Sequence, residues 1–158
     1  MSAEGTVFWN LRRYGAPLSN KGTPGRRLSV EKTLAEGVKL SRYYPSVAQV
    51  WPVVFSKNRK QVRVSALESL SEKLGQVKAL GFLLSVTRKL LGDPALLKSE
   101  KRLRKKSSSA SEYFFLGPCD DLYRALTKAR TPEEAKAWAF MMNTKYEDFE
   151  SCFRKFCS

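Results

Sequence analysis

The sequence predicts a mostly α-helical protein, a compact helical bundle around a central apolar helix at residues 76–91, with one short β segment at 112–116. Hydrophobic residues make up 42% of the 158 positions, which is enough to build a packed core. Apolar side chains surround nearly the whole circumference of the helix predicted at 76–91, as is typical of an element at the centre of a bundle. Helix caps and helix-ending residues bound the neighbouring elements. Together these observations predict the helical class.

Residues 1–28 are predicted to form a basic, flexible arm. Helical periodicity is weak there, and five glycine or proline residues lie between positions 15 and 25, where they favour turns over regular structure. The start of the arm carries apolar and aromatic side chains that are predicted to anchor it: Phe8, Trp9, Leu11 and Tyr14.

Two apolar elements are predicted next. The first is a helix that begins after Ser29, whose hydroxyl can cap free backbone N–H groups, and that ends before Pro45. The second, SVAQVWPVVFSKNRK, has apolar side chains at helical spacing, with Pro52 in their midst. This pattern favours a kinked helix, and a short buried strand is the alternative, because periodicity alone does not distinguish the two.

One further helix is predicted before the central helix and one after it, each separated from it by a tight turn. Ser65 and Glu68 have the spacing of a capping box, and Gly75 can supply the left-handed residue that ends the helix. After the central helix, Asp93 is the predicted cap of the next helix, with Pro94 at its first position. Basic side chains concentrate in the last turns of that helix, where they complement its dipole.

The chain is expected to comprise the arm, a basic helical core at 29–106, a serine-rich hinge at 107–111, and a near-neutral helical segment at 112–158 that packs on the core. The segment EYFFL is the predicted strand. Three helices are expected after the strand. The first runs from about Asp120 to Ala129, the second begins after a cap at Thr131, and the third begins at Lys145. The last helix carries an aromatic stripe, for which a core position is favoured over an exposed docking face: Tyr146, Phe149, Phe153 and Phe156.

Charge is distributed unevenly along the chain. Lysine and arginine number 29 against 15 acidic residues, for a net charge of +14. Residues 1–106 hold 22 basic and 7 acidic groups, a net of +15, whereas residues 107–158 hold 7 and 8, a net of −1. Such an asymmetry indicates a polyanionic partner for the first part, either a phosphate backbone or an acidic protein surface.

Three clusters of cations are the predicted binding residues, and solvated surfaces that keep the protein soluble are the alternative interpretation. Four aromatic side chains are available to stack on unpaired bases: Trp9, Tyr14, Tyr43 and Tyr44. The clusters lie in the arm (Arg12, Arg13, Lys21, Arg26, Arg27), in a loop (Lys57, Arg59, Lys60, Arg63), and in the helix after the central one (Lys98, Lys101, Arg102, Arg104, Lys105, Lys106).

Catalytic chemistry is not predicted. The chain has no histidine, so Ser-His-Asp and Cys-His sites are excluded, and no phosphate-binding glycine motif occurs. The pair Asp120-Asp121 could hold Mg²⁺, but a capping role is favoured, and neither a metal nor a cofactor is expected. A helix-turn-helix is not predicted either, because the helix at 77–91 is too apolar to read bases. An enzyme that uses Asp120 and Asp121 is the least favoured alternative.

The predicted location is the cytoplasm. The N-terminus lacks a basic leader followed by an apolar region, and no apolar run is long enough to span a bilayer, so neither secretion nor a membrane is expected. The three cysteines, Cys119, Cys152 and Cys157, are an odd number near the C-terminus. They are interpreted as reduced thiols of a cytosolic protein.

Residues 28–91 contain LSVEKTLAEGVKL, then a second apolar element, then VSALESLSEKLGQVKALGFLLSVT. This order, with Gly75 and Gly81, resembles the helical C-terminal domain of AbiE-type antitoxins, in which a helix pair L-x-x-L-x-x-x-x-G followed by LGFLL is typical. These antitoxins neutralise nucleotidyltransferase-like toxins. Many also bind DNA through a separate winged helix, for which residues 1–28 are too short.

The resulting hypothesis is a non-enzymatic, antitoxin-like bacterial protein that binds and neutralises an acidic partner protein through its basic surface. The resemblance implies that this partner is a nucleotidyltransferase-type toxin. The alternative is a sequence-independent DNA- or RNA-binding protein that contacts the phosphate backbone, with salt-sensitive affinity.

Overall fold

Helices provide most of the regular structure in the computed structural model, which describes residues 3–117 and 121–157. The mostly helical class is therefore confirmed. In chain order, the elements are α1 (Ala3–Arg13), α2 (Val30–Ser41), α3 (Pro45–Lys57), α4 (Val64–Lys73), α5 (Val77–Leu91), α6 (Leu96–Lys105), β1 (Glu112–Tyr113), α7 (Asp121–Arg130), α8 (Glu133–Lys136), β2 (Phe140–Met141) and α9 (Tyr146–Cys157).

Helix α5 is the centre of the bundle, as its apolar circumference predicts. It contacts α2, α3, α4 and α6 on the core side and α8 and α9 on the C-terminal side. Leu80, Phe82, Leu83 and Leu84 are fully buried within it. A helix enclosed on most sides buries apolar area that a surface helix exposes to water, so burial of this element stabilises the core.

The N-terminal region differs from the predicted flexible arm. Residues 3–13 form α1, and its apolar side chains Val7, Phe8 and Leu11 are buried against α2. These positions have helical spacing, and the turn-forming residues begin only after them. Residues 14–29, which we call the strap, follow α1. The amide of Asn10 holds the strap to α1 by donating to the carbonyl of Arg26 at 3.0 Å. Packing therefore orders a segment whose composition alone favours turns.

Helices α2 and α3 are as predicted in type. The hydroxyl of Ser29 accepts a hydrogen bond from the N–H of Lys32 at 3.1 Å, which confirms the cap. Helix α3 continues through Pro52, so the strand alternative is wrong. Proline removes one helical hydrogen bond. Burial of the surrounding side chains compensates, and the indole of Trp51 donates to the carbonyl of Leu34 at 2.9 Å.

The predicted capping box at Ser65 and Glu68 is wrong. Helix α4 begins at Val64, before Ser65, and no side chain caps it. Glu68 instead accepts two hydrogen bonds from the guanidinium of Arg102, at 3.1 and 3.0 Å. A bidentate ion pair to another helix therefore displaces the local cap. The predicted stop is confirmed, because Gly75 has φ +71°.

Other predicted helix starts are shifted. The carboxylate of Asp93 accepts from the N–H of Ala95 at 3.1 Å, but α6 begins only at Leu96, so Pro94 lies in the preceding turn. Thr131 does not cap α8. Its hydroxyl donates to the carbonyl of Thr127 at 2.8 Å and accepts from the N–H of residue 142. The predicted cap Asp120 lies outside the described residues.

The C-terminal segment packs on the core through a cluster of aromatic rings around Phe82. Strand β1 pairs in parallel with β2. Of the β segment predicted at 112–116, only Glu112 and Tyr113 are in a strand. Phe114, Phe140 and Phe149 are buried, with ring centroids 5.4, 6.1 and 6.1 Å from that of Phe82. A core position is therefore correct for Phe149, whereas Phe156 at the end of the same stripe is exposed.

Gly81 of α5 lies directly under Trp138, and we expect Gly81→Ala to destabilise the protein. A Cβ at position 81 would lie 2.3 Å from the indole of Trp138, which is itself only 3% exposed. Alanine gains about 0.5–1 kcal/mol over glycine in a helix, but overpacking costs about 1–3 kcal/mol, so the net effect is a loss. Urea unfolding monitored by tryptophan fluorescence measures it.

Gly37 in α2 provides the matched control. The nearest heavy atom to an added Cβ there is the flexible Cδ2 of Leu11, at 3.3 Å. Gly37→Ala is expected to change the free energy of unfolding by less than about 1 kcal/mol. Equal losses in the two variants would contradict the role of the contact between Gly81 and Trp138.

Across residues 3–117 and 121–157, no helix has both the length and the apolar character needed to cross a bilayer.

Candidate polyanion-binding surface

The ends of several helices meet at one end of the bundle, and this brings the arm and loop cations together. Helix α1 ends beside the loop after α3, where the ammonium of Lys57 donates to the carbonyl of Gly15 at 3.1 Å. The start of α2 also lies there, since the guanidinium of Arg13 donates to the carbonyl of Leu28 at 2.8 Å. Residues distant in sequence therefore share one surface.

The starts of α4 and α6 complete the same end. The backbone N–H of Arg63, just before α4, lies 3.3 Å from a carboxylate oxygen of Glu31 in the first turn of α2. Arg59 pairs with Asp93, which precedes α6, at 2.9 Å. The end of α3 and the loop at 58–63 thus contact the residues that follow α1, the first turn of α2 and the residues that precede α6.

Six exposed side chains at this end have no hydrogen-bond or ion-pair acceptor among the described residues, and we call them the basic-end cations. Asp93 is neutralised by Arg59, and the buried Glu31 brings one negative charge against six positive ones, so the net charge at this end stays strongly positive. A surface that combines unpaired cations with few free carboxylates attracts anions. The basic-end cations are Arg12, Arg26, Arg27, Lys60, Arg63 and Lys98.

Three other predicted binding residues at this end are occupied within the molecule. The guanidinium of Arg13 lies over the rings of Trp9 and Tyr14, in addition to its hydrogen bond to the strap. Lys57 and Arg59 are engaged as described above. These three cations hold the helix ends together, so the structure places them in a structural role.

The cluster in α6 is divided between two roles. Arg102 pairs with Glu68, and this hydrogen bond raises the pKa of the guanidinium. Lys106 pairs with Glu72 at 3.1 Å, and Arg104 lies 4.1 Å from the ring centroid of Trp138. These three cations fasten α6 to α4 and to the C-terminal segment.

The remaining lysines of α6 face outward. Lys98, Lys101 and Lys105 are three and four residues apart, which places them on one helical face, opposite the buried Leu96 and Leu103. They are exposed and have no ion pair among the residues that the structure describes. This lysine stripe starts at the basic end and extends about 10 Å along α6. Half of the six cations of this cluster are therefore engaged within the molecule, and the other half have no partner among the described residues.

None of the four aromatic residues predicted as stacking platforms presents a fully exposed ring at the basic end. Trp9 and Tyr14 are only partly exposed, and the guanidinium of Arg13 lies 5.7 and 4.6 Å from their ring centroids. Tyr44 lies at the other end of the bundle, where its hydroxyl donates to Glu4 at 2.9 Å, and this hydrogen bond raises the pKa of the phenol. Tyr43 is exposed but follows α2, also at the opposite end.

Within residues 3–117 and 121–157, no group of three acidic or cysteine side chains is arranged to hold a metal ion. Cys152 and Cys157 are free, and burial raises the pKa of both thiols. A raised pKa disfavours the nucleophilic thiolate. Cys119 and Asp120 lie outside the described residues, so the predicted Asp120-Asp121 pair is described only for Asp121, the first residue of α7.

No protein-family model, curated protein or solved structure matches this chain.

Two structural cations escaped the sequence analysis because each stands alone in the sequence. Arg42 and Lys78 are buried, and both pair with Glu112, at 3.0 and 3.1 Å. Lys78 lies in the apolar helix α5, where an isolated lysine within an apolar stripe is the signal that a partner is needed. Arg42 follows α2 with no comparable signal.

Proposed function

We propose that this protein is a non-enzymatic, antitoxin-like binding protein of the bacterial cytoplasm that holds an acidic partner protein at its basic end. One observation carries the proposal: cations from three separate parts of the sequence converge on one end of the bundle and have no partner there among the residues that the structure describes. If these charges served only solubility, we would expect them to be dispersed over the surface.

The chemistry of the basic-end cations suits carboxylates. Four of the six are arginines, whose planar guanidinium pairs with carboxylate in a bidentate geometry. A protein partner with a cluster of acidic residues, such as a metal- and nucleotide-binding cleft, offers that arrangement. The resemblance of residues 28–91 to AbiE-type antitoxins supports the same class of partner, a nucleotidyltransferase-like toxin.

Single-stranded nucleic acid is disfavoured by the same geometry. Binding of unpaired bases relies on exposed aromatic rings, which add about 1–3 kcal/mol per base. At the basic end, Trp9 and Tyr14 are only partly exposed, and Arg13 already lies over their rings. An acidic protein surface needs no such rings, so it fits the available side chains better.

A duplex nucleic acid is the second candidate, and the lysine stripe of α6 favours it. Lys98, Lys101 and Lys105 continue the basic end along about 10 Å, which would let several phosphates of one backbone be contacted at once. Such binding depends on salt, with a log–log slope of about 0.9 for each neutralised phosphate of duplex DNA.

The proposal is tested by isolating the tagged protein from its host at low salt, with nuclease treatment of half the sample. A protein recovered in equimolar amount after nuclease is the expected result. Recovery of nucleic acid alone, released at high salt, would support the second candidate instead. A protein that stays alone at low salt would contradict both candidates.

Charge reversal at the basic end is expected to weaken the recovered complex by at least about tenfold, which corresponds to about 1.4 kcal/mol. The test variant is Arg27→Glu/Lys60→Glu. Its control is Lys39→Glu/Lys73→Glu, at exposed positions in the last turns of α2 and α4 at the opposite end. Both variants lower the net charge from +14 to +10. Titration by calorimetry compares them, and equal weakening would contradict a localised site.

A further inference from the structure

Helix α7 lies on the surface with its apolar side facing solvent. Leu122 is 70% exposed and Leu126 is 40% exposed, and Ala125 and Ala129 are exposed beside them. Thr127 is the single buried residue of the helix. A surface helix usually turns its apolar side to the core, so this orientation indicates a surface that another molecule covers.

The exposed residues form one continuous stripe, which we call the α7 stripe. Leu122, Ala125, Leu126 and Ala129 have i, i+3, i+4, i+7 spacing, and the ten residues of α7 span about 15 Å. Thr127, through which the helix is attached, projects about 140° around the axis from Leu122. The stripe therefore points away from the rest of the molecule.

Two opposite charges lie beside the α7 stripe, and they would complement each other if two copies of α7 met in antiparallel orientation. Asp121 and Lys128 are seven residues apart, so they lie on the same flank of the stripe, at opposite ends of the helix. Both are exposed, and neither has an ion pair among the described residues. An antiparallel copy of α7 would bring Asp121 of each chain beside Lys128 of the other.

We propose that the α7 stripe is the interface through which two copies of this chain pair, with their α7 helices antiparallel. In this arrangement Leu122 packs against Ala129 of the second copy, and Leu126 packs against Ala125. The small alanines let the two backbones approach closely, while the leucines fill the space between them. Two-fold symmetry forms each contact twice, including the ion pair between Asp121 and Lys128.

The charge pattern favours a second copy over an unrelated partner, because an unrelated helix would need to supply the matching acid and base itself. One ten-residue helix from each chain provides a small interface, below the roughly 1,200 Å² of stable complexes. We therefore expect a weak dimer that dissociates on dilution. Each dimer would carry two basic ends, and this inference does not depend on what they bind.

Analytical ultracentrifugation of the full-length protein over a range of concentrations tests the proposal. The wild-type protein is expected to shift from monomer to dimer as its concentration rises. Leu126→Glu should weaken the dimer at least tenfold, because it places two carboxylates within the apolar contact. A wild-type protein that stays monomeric at every concentration would overturn the proposal, as would a dimer that Leu126→Glu leaves intact.

The charge pair provides a second test that does not depend on apolar packing. Asp121→Lys and Lys128→Asp should each weaken the dimer several-fold, since each places like charges together. The double variant Asp121→Lys/Lys128→Asp should restore it close to the wild-type dissociation constant. Lys73→Asp, which reverses a charge on α4, has the same net charge as Lys128→Asp and is the control for that variant, and circular dichroism confirms that each variant is folded. Failure of the double variant to restore the dimer would overturn the antiparallel arrangement.

Discussion

Replacement of Arg42 by methionine is expected to lower the free energy of unfolding by about 3–5 kcal/mol, the range found when a buried ion pair loses one partner. Arg42 is 6% exposed and follows α2. Methionine retains much of its apolar volume, so the loss is mainly that of the guanidinium. The effect should exceed that of any single exposed cation, since exposed ion pairs contribute about 0–1 kcal/mol.

The expected loss follows from the number of acceptors that Arg42 satisfies. Its guanidinium donates to the carbonyl of Phe114 at 2.6 Å, to the carbonyl of Tyr113 at 3.0 Å, and to the carboxylate of Glu112 at 3.0 Å. Buried carbonyls that lose their donor cost about 1–3 kcal/mol each. The side chain therefore holds the first residues of the C-terminal segment to the end of α2.

Two variants distinguish this role from a general effect of charge. Glu112→Gln should cost less than Arg42→Met, because the Glu112 side chain is 41% exposed and the backbone acceptors of Arg42 remain. Arg154→Met, which removes an exposed pair with Glu150, should be close to neutral. Urea denaturation measures all three variants. A cost of Arg42→Met below that of Glu112→Gln would contradict the role of the buried carbonyls.

Local signals in the sequence predicted the features of the fold that depend on a few neighbouring residues. The cap at Ser29 and the stop at Gly75 require only short-range geometry, and both are present. The apolar circumference of α5 likewise predicts its central position. The predicted capping box failed because Glu68 pairs with Arg102, 34 positions away in the sequence. A pattern of a few neighbouring residues gives no information on a contact so far apart in the sequence.

The candidate site shows the same division. The sequence predicted three cationic clusters. Which cations of each cluster are paired depends on partners that only the fold brings close to them. Arg13 and Arg59 are held by the strap and by Asp93, whereas Arg27 and Lys60 have no acceptor within residues 3–117 and 121–157. Their convergence at one end follows from the antiparallel order of the helices, which composition does not encode.

Phe82→Ala is expected to cost about 3–5 kcal/mol, the range for truncation of a buried phenylalanine to alanine. Phe82 is fully buried in α5, and its ring contacts Phe114, Phe140 and Phe149 in edge-on geometry. Its removal takes away both the apolar area and the aromatic contacts that these three rings share. The surrounding rings come from the residue after β1, from β2 and from α9, so they cannot collapse into the cavity without moving the C-terminal segment.

The structure therefore predicts a local consequence as well as a loss of stability. Phe82→Ala should increase the rate of limited proteolysis at residues 107–111, because the C-terminal segment separates more often from the core. Phe8→Ala provides the matched control: Phe8 of α1 is 3% exposed, and its ring packs on that of Tyr44. That variant should lower stability without selectively exposing residues 107–111. Equal cleavage there in the two variants would show that the aromatic cluster around Phe82 does not hold the segment in place.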